Sequence, residues 1–223
     1  MNTLPQTNQS HHHTLSFSSM ERRHFLSATA AIGFFSGIGL PTLLAQPTSG
    51  DPLKPFYLPP VEPLQPGPAG LNTRTRVRQT QTNGQFSCVE FAVAPKKMGP
   101  APHLHKELDE LMYVVEGTIS VMVGEEVYVV QAGGWHLRPR GIVHTFWNAT
   151  DKPAVGIDCY FQQPFEDYLE ASIHTIPETA RTRGLPMNSP EVQTMYQDLR
   201  QKFGMVSFPE KRQPLIDKYG LKA

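Results

Sequence analysis

The sequence predicts an all-β domain, a closed antiparallel sandwich or barrel, followed by a short helical extension. Between residues 74 and 164, short apolar or alternating runs are separated by Gly, Pro and Asn-Gly turns, which is typical of short, evenly spaced strands. After residue 164 the apolar positions recur at helical spacing instead. The 21 Pro and 17 Gly residues also favour turns over a helical bundle.

Charge and cysteine content narrow the range of functions. The chain has 20 Lys and Arg and 20 Asp and Glu among 223 residues, so its formal net charge is zero. Without a basic excess, we expect no nucleic-acid partner. Two cysteines are too few for a disulfide scaffold or a cysteine zinc site. The composition therefore excludes zinc fingers, and equally collagen, coiled coils and polytopic membrane proteins.

Residues 1–45 form an N-terminal extension whose later part resembles a twin-arginine (Tat) signal peptide. Arg22 and Arg23 precede a stretch from residue 25 to 45 that has no charged residue, and eleven of its 21 residues are Ala, Gly, Ser or Thr. Such weakly apolar composition is more typical of an export address than of a membrane span. The resemblance implies export by the Tat machinery to the periplasm or another extracytoplasmic location, with no membrane span in the mature chain.

Two features of this segment stay open. The signal is either cleaved, with Leu43-Leu44-Ala45 as an imperfect site, or kept as an anchor. Translation starts either at Met1 or at Met20.

The mature chain begins with a Pro-rich arm, residues 46–73, in which eight prolines favour an extended, polyproline-like conformation. This arm is either a linker or a strap that lies on the domain. The barrel follows at residues 74–164. Its predicted strands are 86–94, 111–115, 119–123, 127–130, 135–138, 143–147 and 155–161.

The tail, residues 165–223, is predicted to be helical. Ser189 is a helix cap, Pro190 occupies the first helical position, and Gly204 ends the helix. The apolar residues between them fall at helical spacing and are typical of a packed face. We expect this helix to cover the barrel or to contribute to a dimer interface.

Four residues predict a metal site. His103 and His105 are two apart on a predicted strand, so their side chains share one face. Glu110 opens the next strand, and His144 lies on a third. Three imidazoles and a carboxylate suit one Mn, Fe, Co, Ni, Cu or Zn ion better than Ca or Mg. Four protein ligands also leave coordination positions open for catalysis.

The spacing of these residues resembles the two motifs of the cupin superfamily. The segment His103-x-His105-x4-Glu110-x6-Gly117 is similar to the first motif, and Gly133-x5-Pro139-x-Gly141-x2-His144-x3-Asn148 is similar to the second. The spacer of 15 residues between them is typical of short cupins. One departure is Lys97, where the family usually has Gly. The resemblance covers about residues 86–162 and implies a double-stranded β-helix, the jelly-roll cupin barrel, with the metal inside.

Further residues are candidates for the pocket. Met112 and Val114 share a face with Glu110, and Phe146 shares one with His144, so they either line an apolar pocket or pack in the core. His136 and Arg138 could bind an anionic group there, although we expect them to be exposed.

The two cysteines are not expected to form a disulfide. Cys159 alternates with Val155, Ile157 and Phe161 and is predicted to point inward, whereas Cys88 is predicted to point outward.

The site suggests three functions. The first is implied by a resemblance to quercetinase-like cupin dioxygenases, which act on phenolic or enolic substrates with flavonols as the leading example; Glu110 would then be both ligand and base. The second is an isomerase, epimerase or lyase of hydroxy-carbonyl compounds. The third is a non-catalytic barrel that binds a small ligand. An apolar pocket favours aromatic substrates, whereas Arg138 or His136 inside it favours sugars or acids. The resemblance also suggests a homodimer.

Overall fold

The computed structural model describes residues 52–222, in which strands predominate up to residue 161 and helices predominate after it, as predicted. The strands are β1 (Leu71–Val77), β2 (Phe86–Val93), β3 (Lys97–Met98), β4 (His103–His105), β5 (Asp109–Glu116), β6 (Thr118–Val123), β7 (Glu126–Gln131), β8 (Trp135–Arg138), β9 (His144–Asn148), β10 (Ala154–Phe161) and β11 (Met205–Ser207). The helices are α1 (Phe165–Glu170), α2 (Ile176–Thr182), α3 (Pro190–Lys202) and α4 (Arg212–Tyr219). A π-helical turn, Ala171–Thr175, joins α1 to α2. Short 3-10 turns lie at Gln79–Thr82 and Pro209–Lys211.

Two antiparallel sheets enclose the core. One sheet has the strand order β1-β2-β10-β5-β8, and the other has the order β11-β4-β9-β6-β7 with β3 paired to β9. Apolar side chains from both sheets form one continuous cluster between them, because alternate residues of each strand face inward. The cluster comprises Phe91, Val93, Met112, Val114, Ile119, Val121, Val130, Phe146 and Ala154. The predicted double-stranded β-helix with a helical tail is confirmed.

The inward face of β10 differs from the prediction. Ala154, Gly156, Asp158 and Tyr160 are buried, whereas the odd-numbered residues of this strand are only half-buried. A Cβ atom on Gly156 would lie 2.3 Å from Phe91 Cζ, so the ring of Phe91 fills the space where a larger side chain would point inward. The predicted inward orientation of the apolar odd-numbered residues was therefore wrong.

Because Cys159 lies on the half-buried face of β10, it is next to Cys88. Cys159 and Cys88 are register partners on β10 and β2, and both are half-buried. Their Sγ atoms lie 3.4 Å apart. The argument against a disulfide, which placed the two thiols on opposite faces, does not hold.

The Pro-rich arm lies beside strand β1. Strand β1 begins at Leu71, three residues before the predicted start of the barrel. Arg74 donates to the carbonyl of Glu62 at 3.0 Å, and Arg76 donates to the carbonyl of Pro59 at 3.0 Å. The described part of the arm is therefore a strap on the domain.

The signal-peptide prediction lies outside the described residues. None of the helices between residues 52 and 222 has the length and apolar character that a membrane span needs.

The tail closes the barrel from two sides. Phe165, Tyr168 and Phe203 pack with Leu108 and Tyr160 in one apolar cluster at the end of the barrel. On the other side, α4 covers the outer face of β9, and the ring centroids of Trp147 and Tyr219 lie 4.5 Å apart.

The tail contains the predicted helix cap and a strand that the sequence did not predict. The predicted cap of α3 is present, since Ser189 Oγ accepts a hydrogen bond from the backbone of Val192. Strand β11, which was not predicted, pairs with the histidine-bearing strand β4.

Candidate metal centre

Three strands bring the four predicted ligands to one place in the barrel. His103 and His105 occupy alternate positions on β4 and both are buried, while the intervening Leu104 is only half-buried. His103 is the register partner of His144 on β9. Glu110 reaches the same point from β5 in the opposite sheet. The site therefore joins the two sheets through side chains that the strand pleat directs inward.

The ligand atoms are close enough for one ion. One ligand atom from each of the four residues can be chosen so that all lie within 4.8 Å of one another. Two ligands on opposite sides of one transition-metal ion lie about 4.2 Å apart, so only a small contraction is needed. The imidazole ring centroids are 4.5 to 5.4 Å apart.

Backbone carbonyls orient two of the imidazoles. His103 Nδ1 lies 2.9 Å from the carbonyl of Ala101, and His144 Nδ1 lies 3.0 Å from the carbonyl of Ile142. Because a carbonyl only accepts hydrogen bonds, each Nδ1 is the donor, and Nε2 of the neutral ring keeps its lone pair. Burial, with the nearby His144 and His105, holds the pKa of His103 well below its ordinary value and favours the neutral ring.

The surroundings of His105 show most clearly that the residues fit a metal ion. Both of its ring nitrogens are buried without a hydrogen-bond partner, although Nε2 lies 2.6 Å from Glu110 Oε1. The close approach thus lacks hydrogen-bond geometry. Burial opposes ionisation of Glu110, but Arg138, His144 and His105 outweigh it and hold the pKa of this carboxyl well below its usual range. A carboxylate facing unpartnered imidazole nitrogens is the donor set that a transition-metal ion satisfies.

A second group of buried polar residues lies beside the ligands. Arg138 contacts Glu110 Oε2 at 2.9 Å and forms an ion pair with Asp158. Tyr160 Oη donates to Asp158 Oδ2 at 3.2 Å. Burial raises the pKa of Asp158 to about 6, with Arg138 opposing the shift. Burial and Asp158 raise the pKa of Tyr160 well above its ordinary value, so its hydroxyl stays protonated.

A cavity of about 150 Å³ reaches the site. Its wall includes His103, Glu110, Arg138, Asp158 and Tyr160. The remaining lining is mostly apolar and comes from both sheets and from the tail, namely Leu71, Thr73, Phe91, Pro100, Phe146, Phe165, Tyr168, Leu169, Ser172, Ile173 and Met205. The candidate centre therefore opens onto a small, largely apolar chamber that the tail helps to close.

The structure separates the predicted pocket residues into two groups. Phe146 and Arg138 line the cavity, and Arg138 is buried rather than exposed as expected. Met112 and Val114 lie in the apolar core. His136 is half-buried, and its ring packs at a tilt against that of Tyr128 on β7, with 4.8 Å between the ring centroids.

Asp158, Tyr160 and the aromatic side chains of α1 were missed by the sequence analysis. A charged residue inside the predicted strand 155–161 was the available signal for the first two, because an Asp within an apolar strand needs a partner if it is buried.

The chain was compared with protein families, curated proteins and solved structures. Residues 89–160 match the family described as Cupin domain, which supports the cupin superfamily. A search of the curated proteins found no match. Among solved structures, KdgF from Halomonas sp. is 18% identical with a TM-score of 0.40, covering 44% of this chain and 84% of that chain. A sugar phosphate isomerase of the cupin superfamily from Silicibacter pomeroyi is 25% identical with a TM-score of 0.37, covering 43% and 61%. A recombinant oxalate oxidase in complex with glycolate is 20% identical with a TM-score of 0.38, covering 60% and 74%.

Proposed function

We propose that this cupin is a metal-dependent oxidoreductase, a dioxygenase that acts on a small phenolic or enolic molecule. The observation that carries the proposal is the apolar cavity of about 150 Å³ that ends at His103 and Glu110. Such a chamber can hold a substrate against the ligands, and a bound substrate would displace water from them.

The cavity limits the size of the substrate. An apolar cavity of about 150 Å³ holds a molecule of roughly the size of benzene. A three-ring flavonol exceeds this volume, so the substrate that we propose has one ring or a short chain. The aromatic wall of the cavity favours a flat, apolar body.

The residues of the site would have different roles in the proposed reaction. His103, His105, Glu110 and His144 would hold one divalent ion. A redox-active ion at this position would supply electron transfer between substrate and dioxygen. Glu110 would accept the proton of the substrate hydroxyl, since its carboxylate lines the cavity and is ionised. Arg138 holds Glu110 Oε2 and so fixes the direction of that carboxylate.

A metal-dependent isomerase, epimerase or lyase is the second candidate. The buried polar wall formed by Arg138, Asp158 and Tyr160 favours it, because such groups can bind the hydroxyl and carbonyl oxygens of a small hydroxy-carbonyl compound.

Oxygen uptake by the metal-loaded full chain tests the proposal. We expect uptake with catechol or another one-ring enolic compound, no uptake with a flavonol, and loss of activity in Glu110→Gln. The matched control is Glu116→Gln, which changes an exposed carboxylate at the far end of β5 and should retain activity. Proton exchange at carbon without oxygen uptake would favour the isomerase class. If the wild type is as inactive as Glu110→Gln in both assays, both proposed enzyme activities are contradicted, and the protein is a barrel that only binds a ligand.

We also propose that the chain is exported after folding by the Tat route, which would let the metal bind before export. Replacing Arg22 and Arg23 with Lys should keep the protein in the cytoplasm, as measured by fractionation. Export that is unaffected by this change would contradict the proposal.

A further inference from the structure

Three residues that are not metal ligands form a polar wall inside the otherwise apolar cavity. Arg138, Asp158 and Tyr160 are 1%, 3% and 4% exposed, respectively, and all three line the cavity. Arg138 and Tyr160 are the register partners of Glu110 on the two strands next to it, so the wall crosses three strands beside the metal ligands.

Arg138 keeps a donor that the protein does not satisfy. One terminal nitrogen is shared between Glu110 and Asp158, but Nε is buried and has no hydrogen-bond partner. The guanidinium also lies over the ring of Phe146, with 5.6 Å between Cζ and the ring centroid. A buried donor without an acceptor is unfavourable, and the Arg138 side chain lines the cavity, so an anionic oxygen that reaches the guanidinium would be stabilised.

The charges of the site indicate which acceptor fits. Glu110 and Asp158 are carboxylates and Arg138 is a cation, so with neutral imidazoles the cluster has a net charge of minus one. One divalent ion changes this to plus one. Among buried side chains an uncompensated charge is unfavourable. A ligand with a single negative charge makes the site neutral, whereas a neutral ligand leaves it positive and a dianion makes it negative.

We propose that Arg138 and the wall that it forms with Asp158 and Tyr160 select a small organic monoanion. The ligand class is a carboxylate or enolate with one ring or a short chain, with its anionic oxygen toward Arg138 and the metal ligands and its apolar body among the aromatic side chains. This inference rests on the metal site of the proposed function but not on any turnover.

Calorimetric binding to the Zn²⁺-loaded full chain tests the selection without redox chemistry. The probes are benzoate and benzyl alcohol, which have similar size and differ in charge, and 2-naphthoate, which is larger. We expect benzoate to bind at least about tenfold more tightly than benzyl alcohol, because a charged hydrogen bond in a buried site is strong. Binding of 2-naphthoate should be undetectable.

Two variants identify the source of the preference. In Arg138→Gln the ratio of the two affinities should fall to about one, because the site is then already neutral with the ion bound. In Asp158→Asn, which keeps the guanidinium and removes its competing partner, the ratio should rise. Arg140→Gln is the matched control, since Arg140 is exposed and pairs with Asp109 outside the cavity.

The outcomes separate this inference from the proposed function. A chain that binds no Zn²⁺ overturns both. A chain that binds Zn²⁺ but does not prefer benzoate overturns the anion selection alone. A preference that persists unchanged in Arg138→Gln would show that the ion attracts the anion by itself, which also overturns the role of Arg138. If that variant does not fold, an unchanged ratio in Asp158→Asn overturns it instead.

Discussion

The packing of the tail on the barrel predicts a large effect of Phe165→Ala. The Phe165 side chain is buried, and its ring centroid lies 4.7 Å from that of His105, 4.7 Å from that of Tyr168 and 5.0 Å from that of Tyr160. Truncation of such a ring removes about 3–5 kcal/mol of unfolding free energy, part of it through the enlarged cavity. For a domain of this size, the loss corresponds to a decrease of roughly 10 °C in melting temperature.

Urea unfolding of the wild type and the variant measures this loss. Phe161→Ala is the matched control, because Phe161 lies on the half-buried face of β10 and its ring centroid is 6.5 Å from that of Phe86. The control should lose only about 1 kcal/mol. The enlarged cavity of Phe165→Ala should also admit 2-naphthoate to the Zn²⁺-loaded protein. Equal losses in the two variants, with no binding of the larger acid, would refute the inference that α1 closes the metal-site cavity.

Three further predictions concern the sheet that carries β10. Gly156→Ala should destabilise the fold by about 1–3 kcal/mol in urea unfolding, because its Cβ would lie 2.3 Å from Phe91; unchanged stability would contradict the packing. Oxidised glutathione should join Cys88 and Cys159, whose Sγ atoms are 3.4 Å apart, and thiol titration should fall from two groups per chain to none; two persistent thiols would contradict their alignment. Burial raises the pKa of Asp158 to about 6, so the metal-free folded state binds a proton more tightly than the unfolded state; the stability of the wild type relative to Asp158→Asn should fall as pH rises from 4 to 6, and a relative increase would contradict the burial.

The fold class and the shared face of His103 and His105 were predictable because both depend on local pattern, whereas the convergence of Glu110 and His144 on that face was implied by the resemblance to the cupin motifs. Alternation along one strand places His103 and His105 on the same face whatever the rest of the chain does. The strands and turns between residues 86 and 161 likewise follow from short apolar runs and Gly-rich turns. These signals need no knowledge of which strands are neighbours.

The polar wall beside the ligands could not be predicted in the same way. The position of Arg138 next to Glu110 and within reach of Asp158 depends on the register of three strands that are far apart in sequence. The alternation in β10 also misled the prediction, because its apolar residues occupy the half-buried outer face while Asp158 and Tyr160 point inward. A charged side chain is buried there only because its partner arrives from β8.

The contribution of the tail to the site is a further tertiary effect. Strand β11 has three residues, too few for a periodic signal, and it forms by pairing with β4. The helical spacing of α3 predicted a packed face, but the tail residues that line the cavity belong to α1, to the π-helical turn after it and to β11. Which helix covers the mouth of the barrel is decided by packing rather than by local sequence.

The most direct test of the account is elemental analysis of the full chain recovered from its own compartment. We predict about one Mn, Fe, Co, Ni, Cu or Zn ion per chain in the wild type. Almost none is expected in the double variant His105→Ala/Glu110→Gln, with its folding checked by circular dichroism. His174→Ala, which changes a histidine that lies against the backbone of β1, should keep the ion. A metal-free wild type, or a double variant that retains the full metal content, would contradict the central claim.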